Sequence, residues 1–412
     1  MEPIRRRGFI SLMGYFGLAS VAQAASFGNP DRPPEGKINA RSLSSTNDPG
    51  PASPDLASQF PSSQNPPATD INGMPQFWSS FNIMHKRYQD GGWARQITQE
   101  DFAISETISS VNMRLSAGGI REMHWHQQAE WAIMLSGKCR ITTLDEQGRS
   151  SVEDVEEGDL WYFPPGLPHS LQGLGPDGAE FLLIFDNGLS SEFNTLLVTD
   201  WIAHTPPEVL AQNFGVPADA FKNIPLDNLW IFQGDIPPSL EEDKKSARVT
   251  SGTEKVTYKL SKSPPIPSGR SGVAQIADSR NFPISKNIAA ALETIHPGAL
   301  REMHWHPNAD EWALVIKGKA RVTVFDTGPK ATTNDFNPGD IWYIKKSLGH
   351  YIVNTGDDDL VVLTIFKSDR FAEVTLTSWL THVPSEMVQQ TLKLDADVIA
   401  RFPADRPEFL PK

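Results

Sequence analysis

A chain of 412 residues is too long for one ordinary core, so its length predicts two domains with appendages. The net charge of −13 leaves no basic face for nucleic acid, and the single cysteine, Cys139, excludes an internal disulfide or a thiolate zinc site. No apolar run reaches the roughly 18–20 residues of a membrane span, while 33 prolines and 30 glycines favour turns and short strands over long helices.

Residues 1–25 have the order of an export signal. Arg5, Arg6 and Arg7 precede an apolar stretch from Phe9 to Ala19, and Ala22-Gln23-Ala24 offers small residues for cleavage. The pair Arg6-Arg7 resembles the twin-arginine type, which predicts a periplasmic or secreted protein that meets no membrane after export. Residues 26–70, rich in Pro, Ser, Asn and Asp, hold too few aliphatic groups to offset their ordering entropy and read as a flexible tether.

The rest of the chain repeats itself. Residues 91–126 align with 271–306 at an offset of 180, ending in Arg-Glu-Met-His-Trp-His in both copies. The offset becomes 181 for Glu130-Trp131, Gly158 to Tyr162 and His169, then falls to 178 at Trp201 and Trp379, so the first copy gains three residues within 186–199. Each copy consists mainly of short alternating or apolar runs divided by Gly, Pro and Asp, such as Arg140–Leu144 and Phe181–Phe185, which read as antiparallel strands. Pro207–Phe221 and Pro384–Ile399 carry helical apolar spacing. The expectation is an all-β chain with minor α: a first domain at 71–236 and a second at 237–412, each a barrel or sandwich with trailing helices.

Six of ten histidines occupy equivalent points of the two copies. His124 and His126 are one residue apart, so on a strand they point to one face; Glu130 can return to that face across a turn, and His169 can arrive on another strand. His304, His306, Glu311 and His350 repeat the set. A lone histidine is commonly a hydrogen-bonded core residue, but a three-histidine, one-glutamate set at matched spacing twice points to metal. Nitrogen and oxygen donors without sulfur suit Mn²⁺ or Fe²⁺, with Zn²⁺ or Ni²⁺ also compatible.

These residues resemble the two cupin motifs, with Gly158, Pro164, Gly166 and His169 completing the second motif in the first copy and Lys345 and Ser347 replacing its Pro and Gly in the second. The span 71–412 looks like a bicupin of the oxalate decarboxylase family, a tandem of jelly-roll barrels. The resemblance implies two Mn²⁺ per chain, dioxygen as co-catalyst, oxalate cleaved to formate and carbon dioxide, and a trimeric or hexameric homo-oligomer. It makes Arg121 and Arg301, three residues before the first histidine of each set, the substrate-binding arginines. On a regular strand they fall out of phase with the ligands, so a turn or bulge near Gly118-Gly119 or Gly298 is expected.

The three extra residues of the first copy fall around Ser191-Glu192-Phe193-Asn194-Thr195, which resembles the family's lid and makes Glu192 the proton donor. The second copy lacks this lid and has Thr364 where the family often has a glutamate. Turnover is therefore expected at the first site, with the second metal mainly structural or serving electron transfer. The competing readings are an oxalate oxidase releasing hydrogen peroxide, and a storage or sensor bicupin without turnover.

Overall fold

The computed structural model describes residues 53–412, apart from 65, 68, 71–72, 250–253, 267–268, 329 and 405–407. The expected export signal and residues 26–52 of the expected tether lie outside the described residues.

The repeat folds twice into facing antiparallel sheets. In the first unit, strands Gly92–Ile97, Ser109–Leu115, Ala179–Phe185 and Leu160–Phe163 join the near half of a 15-residue strand, Glu130–Leu144. The far half of that strand crosses into the opposite sheet, beside Ser150–Glu156 and His169–Gly173, with Gly119–Trp125 beyond. In the second unit the equivalent long strand is divided into Glu311–Lys317 and Ala320–Asp326, and two six-stranded sheets result.

Glu130-Trp131-Ala132-Ile133-Met134 is buried at every position, because one face of its sheet looks into its own barrel and the other into the neighbouring unit. Such strands read as continuous apolar runs rather than alternations. One apolar core accordingly contains Trp131, Ile133 and Leu183 of the first unit with Trp312, Tyr343 and Ile365 of the second. The units also exchange strands. Trp78–Ser80 pairs with Asp340–Trp342 of the second unit, and Thr257–Tyr258 pairs with Leu160–Trp161 of the first.

Two local expectations need correction. Residues 54–59 and 61–64, read as tether, form short helices against the second unit. Buried Phe60 stacks on Trp78 at 4.3 Å, and the Ser62 backbone N–H donates to the Asp335 carboxylate at 2.7 Å. One aromatic ring and one carboxylate contact give a polar segment the anchor that its composition did not advertise. The two expected trailing helices are each broken. Pro207–Phe214 ends on left-handed Gly215 and resumes as a 3₁₀ turn at Ala218–Phe221. Ser385–Leu392 ends on left-handed Lys393 before Ala396–Ile399. A left-handed residue terminates a helix by turning its last carbonyls toward local donors.

Candidate metal centres

The four residues of each histidine–glutamate set converge. His124 sits on Gly119–Trp125 opposite His169, their Cα atoms paired across the two strands, while His126 follows the strand end. Glu130 opens the long strand of the facing sheet, so the cage spans the interior between sheets. His304, His350, His306 and Glu311 repeat this arrangement. In each cage one ligand atom from every residue lies within 4.8 Å of all the others, and all eight residues are buried.

Hydrogen bonding decides which ring nitrogen faces inward. In the first cage the Nδ1–H groups of His126 and His169 donate to the carbonyls of Gln128 and Leu167 at 2.6 and 2.8 Å, and His124 donates to Glu122. In the second, His304, His306 and His350 donate to Glu302, Ala372 and Leu348 at 2.6, 2.9 and 3.0 Å. With the proton fixed on Nδ1, every Nε2 presents a lone pair to the cage.

Each glutamate is oriented as well: Trp161 Nε1–H donates to Glu130 Oε1 at 3.0 Å and Trp342 Nε1–H to Glu311 Oε1 at 2.6 Å. The other carboxylate oxygen then faces imidazole lone pairs, Glu130 Oε2 lying 3.2 Å from His126 Nε2 and Glu311 Oε2 lying 2.8 Å from His306 Nε2. His169 Nε2 and His306 Nε2 are buried without a hydrogen-bond partner. Acceptors crowded against acceptors in a buried cage require a cation between them, so these residues fit a divalent ion of the manganese type.

Burial, reinforced by neighbouring histidines and arginine, drives His124 and His304 well below the ordinary imidazole range, and burial lowers His169 to about 4. Burial works against ionising Glu130 and Glu311, yet the imidazoles beside them hold both below the usual carboxylate range, and Glu311 in turn outweighs burial to raise His306. Neutral imidazoles and an ionised carboxylate are the forms that bind metal.

A pH dependence follows with a definite sign. The folded value of His169 lies below its ordinary 6.5, so this contribution is fully present above pH 6.5 and is lost as pH falls toward about 4. Chelator-stripped protein is expected to melt progressively lower between about pH 7 and pH 4.5, and manganese-loaded protein to resist the change. Thermal melts of the two forms check this, and a flat profile for stripped protein would contradict buried neutral imidazoles.

Trp161 and Trp342 are not singled out by the sequence reading above. Their signal was a fixed place in both repeats, one residue after the aligned Asp159-Leu160 and Asp340-Ile341. Trp161→Phe keeps the ring packing but frees the Glu130 carboxylate, and should weaken manganese affinity by about 10–100-fold. Metal titration against a chelator measures it.

The loop before the third histidine keeps its shape in both copies despite Ser347. Gly166 and Ser347 adopt φ of 79° and 69°, and their N–H groups donate to the carbonyls of His126 and His306 at 2.8 and 3.0 Å. Serine accepts a left-handed backbone at some cost in strain.

The two arginines diverge. A bulge brings each into phase, but it lies between Arg121 and His124, and between Arg301 and His304, not at the glycines where it was expected. Arg121 is buried and, among the described residues, bonds to neutral groups: the carbonyls of Trp230 and Glu192 at 3.2 and 3.1 Å and the Thr195 hydroxyl at 3.4 Å. Arg301 is equally buried but pairs with two carboxylates, Glu293 at 3.1 Å and Glu373 in a shorter contact. Burial lowers Arg121 to about 10, whereas Glu373 and Glu293 outweigh burial and raise Arg301. Strand register places Met113 and Thr195 where the second copy has Glu293 and Glu373.

The expected arginines thus sit in different charge environments: Arg301 is paired with two carboxylates, although its Nη1 is buried without a hydrogen-bond partner. Nor does Thr364 leave that site without a carboxylic acid, because Glu293 supplies one from the adjacent strand.

The lid segment has the expected length asymmetry, ten residues separating Phe185 from Leu196 against seven between Phe366 and Val374. Its Glu192 is not a solvated loop residue. It is 4% exposed and its carboxylate pairs with Arg87. Asn194 closes the segment by accepting from the Ser191 N–H and hydroxyl at 2.8 and 2.9 Å.

Comparison with known proteins agrees with this geometry. The cupin family model matches residues 80–220 and 258–400. Oxalate decarboxylase OxdC of Bacillus subtilis is 48% identical over 339 residues, covering 82% of this chain and 88% of OxdC. The chain is a bicupin of the oxalate decarboxylase family. An oxalate decarboxylase of Arthroderma benhamiae is 37% identical over 383 residues, 87% of this bicupin and 89% of the fungal protein. A solved structure of the Bacillus subtilis enzyme, described for the assignment of its Mn(II) centres, superposes with a TM-score of 0.85 at 43% identity, covering 93% of this bicupin and all of that chain.

Proposed function

We propose that this bicupin converts oxalate and a proton to formate and carbon dioxide at its first cage, with manganese and dioxygen, and that the second cage holds metal mainly for the fold. The observation that carries the site assignment is Arg121: a buried guanidinium beside the first cage that, among the described residues, hydrogen-bonds to no carboxylate. A dianionic substrate can supply what Glu293 and Glu373 supply to Arg301. The names and closeness of the relatives support oxalate as that substrate.

Manganese held by His124, His126, Glu130 and His169 would, with dioxygen, supply reversible one-electron oxidation, which weakens the C–C bond of oxalate. Arg121 orients one carboxylate and draws negative charge toward it. Glu192 takes up the proton that the reaction consumes and, once carbon dioxide leaves, delivers it to the remaining carbon, and the returned electron completes formate. The lid around Glu192 excludes water during these steps. Further oxidation instead of protonation would give a second carbon dioxide and peroxide, so the position of Glu192 favours the decarboxylase over the oxidase.

The test is formate and peroxide measured together on manganese-loaded protein. Formate in near one-to-one ratio to oxalate consumed is expected; stoichiometric peroxide would favour the oxidase, and inertness a storage or sensor role. Export to the periplasm or medium is part of the proposal, supported by Arg6-Arg7 and the small-residue site at Ala22-Gln23-Ala24. So is a homo-oligomer, supported by Trp201 and Trp379, equivalent residues that are 66% and 57% exposed.

A further inference from the structure

We propose that Arg87 is a positioning residue that latches the lid, holding Glu192 by an ion pair and Phe193 by its ring; this rests on the reading of Glu192 as proton donor. Among the described residues the Glu192 carboxylate bonds to Arg87 alone, Nε–H reaching Oε1 at 3.3 Å and Nη2 reaching Oε2 more closely. Beside the Arg121 contacts, two lid anchors come from one hairpin, Arg87–Gln89 paired with Gly92–Ile97, because Gln96 Oε1 accepts from the Glu192 N–H at 3.2 Å. Gln89 braces the arginine, accepting from its Nη1 and also from the Ile231 N–H at 3.0 Å.

A second contact runs through aromatic rings. The Arg87 guanidinium lies 5.4 Å from the Phe193 ring, Phe193 meets Trp230 edge-on at 5.2 Å, and Trp230 lies 5.2 Å from the Arg121 guanidinium. Cation, ring, ring and cation thus connect the hairpin to the substrate arginine through the lid. Arg87 lies outside both cages and outside the aligned repeats, so nothing in the mechanism above uses it.

The physical consequence is asymmetric. With Arg87 in place, Glu192 is buried at little net cost; without it, a buried carboxylate has no partner and the lid must carry it out to water. Arg87 thereby determines how much of the time the proton donor stays beside the cage, while touching neither metal nor substrate.

The experiment uses full-length manganese-loaded protein and the variants Arg87→Met, Arg87→Lys and Phe193→Ser. Arg87→Met should raise amide exchange across residues 190–196 by about tenfold with manganese content unchanged. It should also lower kcat for formate by about tenfold, leave KM for oxalate within about twofold, and raise the peroxide share. Arg87→Lys should restore part of both readouts, and Phe193→Ser, at a half-exposed position, should raise lid exchange by a smaller factor should Arg87→Met fail to fold. Unchanged lid exchange and product ratio in Arg87→Met would overturn the latch, as would loss of metal or a raised KM at constant kcat. Failure of the underlying reading looks different: Glu192→Gln would then make formate normally, whatever the exchange data for Arg87→Met show.

Discussion

Arg121→Met is expected to lower kcat/KM for oxalate by about a hundredfold or more, because it removes a buried cationic group beside the first cage that hydrogen-bonds to no carboxylate among the described residues. Manganese content should stay at two per chain, since Arg121 ligates nothing. The same substitution at Arg301 should act on stability instead. There it leaves buried Glu293 and partly buried Glu373 around an absent charge, a loss on the order of 3–5 kcal/mol. Steady-state kinetics and denaturant melts on the two variants read the contrast. Equal catalytic losses would mean that both cages turn over, and loss confined to Arg301→Met would reverse the assignment.

Glu192→Gln should abolish most formate production, by about 10²–10⁴-fold, with metal and oxalate affinity retained. The amide keeps the shape of the side chain and can still meet Arg87, but it has no acidic proton to give. The partly oxidised fragment then takes the remaining route, so the peroxide share of the product should rise. Gas-tight assays of formate, carbon dioxide and peroxide measure the partition. Unchanged formate output would remove Glu192 from the proton path and leave the lid with the task of excluding water alone.

The cages were legible in the sequence because their determinants are local and doubled: a one-residue histidine spacing fixes a strand face, and an internal repeat states the pattern twice. The longer segment around Glu192 was legible for a related reason, as three residues present in one copy and missing from the other. What escaped was pairing across strands. Arg121 and Arg301 sit in identical Arg-Glu-Met-His-Trp-His strings, and their difference lies in Met113 against Glu293 and Thr195 against Glu373, some 8 to 74 positions away. Those substitutions were visible in the alignment of the two copies, but only the fold shows that both surround the arginine. The exchanged strands Trp78–Ser80 and Thr257–Tyr258 escaped for want of any periodic signal, each being three residues or fewer.

Two cages with the same ligands and opposite arginine environments should differ most plainly in what they bind. Calorimetric titration of oxalate into manganese-loaded protein without dioxygen counts the sites directly. One oxalate per chain, lost in Arg121→Met and retained in Arg301→Met, is the predicted result; two per chain, or one that survives removal of Arg121, would contradict it.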